Sequence, residues 1–67
     1  MDPTLYSAYE HGYQAGAAQQ PRQAPPEVAQ AIPNRSTEWY LGYDDAVGDP
    51  PDVQRQMVAW FGRKEGE

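Results

Sequence analysis

The sequence predicts an all-α protein: an antiparallel helical pair with a proline-rich connector and a third, C-terminal helix, in one domain spanning residues 1–67. Three observations carry this. Ala8-Tyr9-Glu10-His11-Gly12-Tyr13-Gln14-Ala15-Gly16 and Trp39-Tyr40-Leu41-Gly42-Tyr43-Asp44-Asp45-Ala46 echo each other, each setting aromatic residues beside glycine at helical spacing. Glycine inside a helix costs roughly 1 kcal/mol relative to alanine, so two segments that both accept it point to helices pressed backbone to backbone, with tyrosine rings closing over the joint. Between them, residues 19–35 hold four prolines, and after them Asp49-Pro50-Pro51-Asp52 opens a further apolar-striped segment. No segment reads as a convincing strand.

The first helix is expected at about residues 3–18, with Asp2 as N-cap and Pro3 at the first helical position. Leu5, Tyr9, Gly12, Tyr13 and Gly16 recur along one face. Ala8, Gly12 and Gly16 form a small-residue edge at spacing four. In the connector, Pro21, Pro25 and Pro26 favour extended backbone. Residues 27–32 have room for one or two helical turns, with Val28, Ala31 and Ile32 inward. The connector reads as a stiff return segment or as a peptide ligand shown to a partner.

The second helix is expected at about residues 36–47, capped by Asn34 or Ser36, with Glu38 suiting the positive end of its dipole. Trp39, Tyr43, Ala46 and Val47 form its apolar face, and Gly48 stands where a terminating glycine belongs. The third helix is expected at about residues 50–62, with Asp49 as N-cap, Val53, Met57, Trp60 and Phe61 as apolar face, and Arg63 and Lys64 at the negative end.

A chain this short buries only about 60% of the surface its unfolded form exposes. It has no cysteine, so neither disulfide nor thiolate metal site is available, and its single histidine cannot build a zinc site. The net charge of −5, with the five cations scattered, argues against direct nucleic-acid binding and for a partner protein with a basic surface. No apolar run approaches a membrane span and the start lacks a signal-peptide pattern, so a cytoplasmic location is expected.

Residues 8–16 and 36–49 resemble the ribosome modulation factor family, very small two-helix proteins that have relatives on phages and plasmids. The likeness rests on Ala8, Gly12, Tyr13, Ala15 and Gly16 in the first helix and Trp39, Gly42, Tyr43 and Ala46 in the second. It implies a helical pair that binds the small ribosomal subunit, silences translation and promotes ribosome pairing. The family relies on a basic surface and a basic N-terminal arm. Here residues 1–6 carry one aspartate and no cation, Asp44-Asp45 stand where basic residues are common, Ile32-Pro33 replaces a cysteine-proline, and the third helix is an addition.

Asp44, Asp45, Asp49 and Asp52 crowd the junction of the second and third helices without the ligand order of a calcium loop. They are either solvated acids and a cap or a docking face, with Tyr6 and Tyr40 as off-stripe aromatics beside them. His11 beside Glu10 has the composition of a general base, but no nucleophile motif accompanies it, and no glycine precedes a phosphate-loop Lys-Ser or Lys-Thr pair. Neither catalysis, cofactor nor metal is expected. The expected role is a non-enzymatic regulator working by protein–protein contact, with a ribosome-binding silencer or a phage-type acidic mimic of nucleic acid as alternatives, and a homodimer among the partners considered.

Overall fold

The computed structural model describes the backbone of residues 4–32 and 34–65 and the side chains of 8–32 and 34–63. Among the described residues four helices follow one another: α1 (Thr4–Ala17), α2 (Pro26–Ala29), α3 (Ser36–Gly48) and α4 (Pro51–Glu65). Among the described residues there is no strand, so the all-α expectation holds. The Asp2–Pro3 cap and the side chains of Leu5 and Tyr6 lie outside the described residues.

Gly12, Gly16 and Gly42 form the joint between α1 and α3. A Cβ on Gly12 would overlap the Trp39 carbonyl, and one on Gly42 would overlap the Tyr9 carbonyl and stand 2.9 Å from the Tyr13 nitrogen. A Cβ on Gly16 would lie 2.7 Å from the Tyr43 oxygen and 2.9 Å from the Ala46 Cβ. Real side chains do not approach so closely, so the absence of a side chain is what lets each backbone rest on the other. Ala8 and Ala15 are buried along the same contact.

The direction of the pair differs from expectation. Moving along α1 from Gly12 to Gly16 moves the partner on α3 from Trp39 forward to Tyr43 and Ala46, so the two helices cross while running in the same sense. The connector explains how. Antiparallel neighbours need a loop of only about 2–5 residues, whereas residues 18–35 are long enough to carry the chain back along the pair before α3 begins. Their contacts with α3 run in reverse order: Tyr43 donates a hydrogen bond to the Gln20 carbonyl, and the Ala24 N–H donates to Tyr40 Oη at 3.2 Å. α4 is the antiparallel element, with Phe61 packing on Tyr13 and, further back along α4, Val58 lining one groove with Ala17.

Helix ends show further differences. α1 closes with Gln20 N–H on the Ala15 carbonyl (3.0 Å) and Gln19 N–H on the Gly16 carbonyl (3.1 Å), a Schellman motif whose left-handed residue is Gln19, φ 60°. α3 continues through Gly48, and no described glycine has positive φ; extended Asp49 ends the helix instead. Asn34 Oδ1 accepts the Ser36 N–H at 2.8 Å, while Arg35 occupies the N-cap without a side-chain cap bond. Asp49 does not cap α4, which starts at Pro51; its carboxylate is engaged with Tyr13. Gln54 ties the α3–α4 turn, donating from Nε2 to the Ala46 carbonyl at 2.6 Å.

The core centres on Tyr13, with Ala46 and Phe61 buried beside it and Tyr9, Ala17 and Met57 at its margin. The Tyr13 and Phe61 rings meet edge to face, centroids 5.6 Å apart. Trp39 is buried separately, stacked on Tyr43 at 5.4 Å. Val47, expected in the helix-pair core, is 62% exposed. It follows Ala46, whose methyl packs close to Gly16 in the joint, and so lies on another side of the helix. Ile32, expected inward, is 96% exposed, because α2 ends at Ala29 and the turn that would bury it does not form. On α4 the expected face splits: Phe61 is buried and Met57 half-buried, but Val53 and Trp60 stand in solvent on the flank.

Candidate functional site

α3 is held on one side by backbone contact with α1, which leaves another side of the helix facing solvent. Leu41, Asp44, Asp45 and Gly48 recur at i, i+3, i+4 and i+7, and all four are exposed. This face is therefore an apolar Leu41 bordered by two carboxylates, on a helix whose position is fixed by the glycine joint.

Two of the acids serve the core as well. Tyr9 donates its hydroxyl proton to Asp45 Oδ2, and Tyr13 donates to Asp49 Oδ2 at 2.6 Å. Both tyrosines lie one turn apart on α1, and both acceptors one turn apart on α3 and its C-cap, so the pairs form two rungs across the joint. Burial, then the hydrogen bond to Asp45 and the negative charge of Asp45 and Asp49, pushes the Tyr9 hydroxyl up to about 12. Burial followed by the bond to Asp49 raises Tyr13 in the same direction. Asp45 remains exposed, and a carboxylate has acceptor sites to spare after one hydrogen bond.

Asp44 has a different partner. Arg22 of the connector reaches it with both forks of the guanidinium, Nε to Oδ1 and Nη2 to Oδ2, each 2.9 Å. The same guanidinium lies 4.5 Å above the Tyr40 ring. The bidentate bond holds the Asp44 carboxyl below the usual carboxylate range and raises Arg22 above its own. Tyr40, predicted as a free docking aromatic, is thus half-buried and occupied by Arg22 and Ala24. Its position one residue from the buried Trp39 was the available signal, since the two rings meet edge to face at 5.2 Å.

Asp52 pairs with Arg55 one turn on in α4, both side chains about four-fifths exposed (81% and 79%). The four aspartates therefore serve four different partners. Among the described residues no group of three or more histidine or acidic side chains is placed to hold a metal. His11 is exposed and borders a groove of about 360 Å³ between α1 and the connector, lined also by Ala15, Gln20, Pro21, Gln23, Pro25 and Trp39. None of these lining groups is a carboxylate or hydroxyl. Glu10, which stands beside His11 in the sequence, is 4% exposed, whereas His11 is exposed, so the two side chains face different surroundings. No described helix is long and apolar enough to cross a membrane.

Compared with known proteins, the chain matches no protein-family model, no curated protein and no solved structure.

Proposed function

We propose that this chain is a small non-enzymatic regulator that acts by protein–protein contact, using the glycine-jointed helices as a rigid frame. The observation that carries this is the outward face of α3, where exposed Leu41 lies between exposed Asp44 and Asp45. An apolar residue rimmed by acids suits a partner whose contact surface is apolar at its centre and basic around it.

The test is capture of partners from host extract by the tagged full chain, compared with a Leu41→Ala, Asp45→Asn variant. Neither side chain fills the core, so circular dichroism should be unchanged. Capture of a defined protein that weakens with added salt and is lost in the variant is the expected result. Equal capture by both chains, or capture indifferent to salt, would overturn the reading.

A second reading, a translation silencer that binds the ribosome, is favoured by one observation. Gly12, Gly16 and Gly42, on which the resemblance to the ribosome modulation factor family rests, are the residues at which the helices touch. Co-sedimentation with the small subunit and inhibited translation in extract would select it. Capture of a nucleic-acid enzyme, reversed by competing DNA or RNA, would instead select the acidic mimic.

A further inference from the structure

α4 carries a face that the fold does not use. Its inward side is made by Gln54, Met57 and Phe61, while Val53, Gln56, Trp60 and Arg63 recur at i, i+3, i+7 and i+10 on the neighbouring flank. Val53 is 37% and Trp60 53% exposed, and Gln56 and Arg63 are exposed as well. A half-exposed tryptophan at the centre of a heptad-spaced stripe is the kind of anchor that contributes most at interfaces.

The charges along α4 say what covers it. On the stripe's own flank, acid stands at one end, at Asp52, which shares Arg55 within its own helix through an exposed pair, and base at the other, at Arg63 and Lys64 ahead of Glu65. α4 also holds three of the five cations, Arg55, Arg63 and Lys64, in a chain of net charge −5. With Asp52 and Glu65 offsetting most of that charge, α4 is the segment where a second copy meets the least like-charge repulsion from a chain otherwise rich in acids.

We infer that the Val53–Gln56–Trp60–Arg63 stripe is a self-association surface that pairs antiparallel with α4 of a second copy of this chain. A two-fold axis between Gln56 and Trp60 sets Trp60 of each copy over Gln56 of the other. It also brings Asp52 and Val53 of each copy to Arg63 of the other. Parallel pairing would oppose Asp52 to Asp52 and Arg63 to Arg63 and would align the helix dipoles, so the antiparallel arrangement is selected on both counts. Two single helices bury less than a standard interface, which makes this a weak, reversible dimer. The surface is separate from the α3 face, so the two proposals stand or fall independently.

Sedimentation equilibrium of the full chain from about 10 μM to 1 mM, a range suited to weak interfaces, tests it. The wild type should shift toward dimer across this range. Trp60→Glu should weaken association about tenfold or more, with helix content unchanged because Trp60 is outside the core. Asp52→Arg and Arg63→Asp should each weaken self-association alone, since each opposes like charges across the axis. An equimolar mixture of these two variants should associate again, because each chain then meets the opposite charge at both ends. A wild type that stays monomeric throughout, a dimer indifferent to Trp60→Glu, or a mixture that does not recover would each overturn the proposal.

Discussion

At the scale of single residues, glycines with the same helical environment in the sequence have opposite physical roles. Gly42 lies with its Cα against the Tyr9 carbonyl, and there is no side-chain volume to give way. Gly62, inside α4, has nothing within 4 Å of where a Cβ would stand. Gly42→Ala should therefore destabilise the protein by about 1–3 kcal/mol or more, through forced separation of α1 and α3. Gly62→Ala should stabilise by about 0.5–1 kcal/mol, because alanine restricts the unfolded chain and favours the helix. Urea titrations of both variants check the pair of signs. A neutral Gly42→Ala would mean that the helices are not in backbone contact. The sequence made the joint legible because paired glycines in a helix need a reason. It did not separate Ala46 from Val47: both suit an apolar face, and only the closeness of the joint decides that a methyl fits and an isopropyl group is turned out.

At the scale of elements, helices read well from the sequence and their mutual direction did not. α1, α3 and α4 fall within a few residues of expectation, since capping chemistry, proline and 3.6-residue periodicity are local signals. Direction is set by where the connector goes, and that depends on Arg22, Tyr40, Tyr43 and Asp44 meeting across at least 16 residues of chain. No local pattern announces such contacts. The connector is consequently a strap, fastened by the Arg22–Asp44 fork, the Ala24–Tyr40 bond and the Tyr43–Gln20 bond. Asp44→Asn removes the charge that holds Arg22 while keeping Arg22 as a trypsin site followed by Gln23. Cleavage after Arg22 under native conditions should accelerate severalfold in this variant, since proteolysis tracks the population of the locally opened state. Helix content should remain that of the wild type, because the glycine joint is untouched. Unaltered cleavage would show that the fork does not hold the strap.

At the scale of the whole molecule, a domain of this size depends on a core centred on one buried tyrosine, and that makes its stability sensitive to alkali. Tyr9 and Tyr13 both bind their protons more tightly folded than unfolded, chiefly through burial and then through the bonds to Asp45 and Asp49. Below the unfolded tyrosine value of about 10, both states are protonated and the contribution is fully present. As pH rises beyond that, the unfolded chain releases these protons while the folded chain retains them, so stability falls. The loss is about 1.4 kcal/mol per pH unit for each tyrosine. For Tyr9 it continues until the folded group itself ionises at about 12. Against the roughly 3–5 kcal/mol that a single small core supplies, a loss of this kind from two groups, discounted for the partial exposure of Tyr9, lowers the stability of the domain markedly in alkali. Urea midpoints between pH 9 and pH 12 should therefore fall steeply for the wild type. Tyr9→Phe should remove part of the slope at modest cost at neutral pH, because Asp45 remains solvated. Tyr13→Phe should flatten the profile further but lower neutral stability more, because Asp49 loses its donor at the edge of the core. A Tyr9→Phe, Tyr13→Phe chain that lost stability with alkali as steeply as the wild type would refute the assignment of this titration to the two rungs across the helical joint.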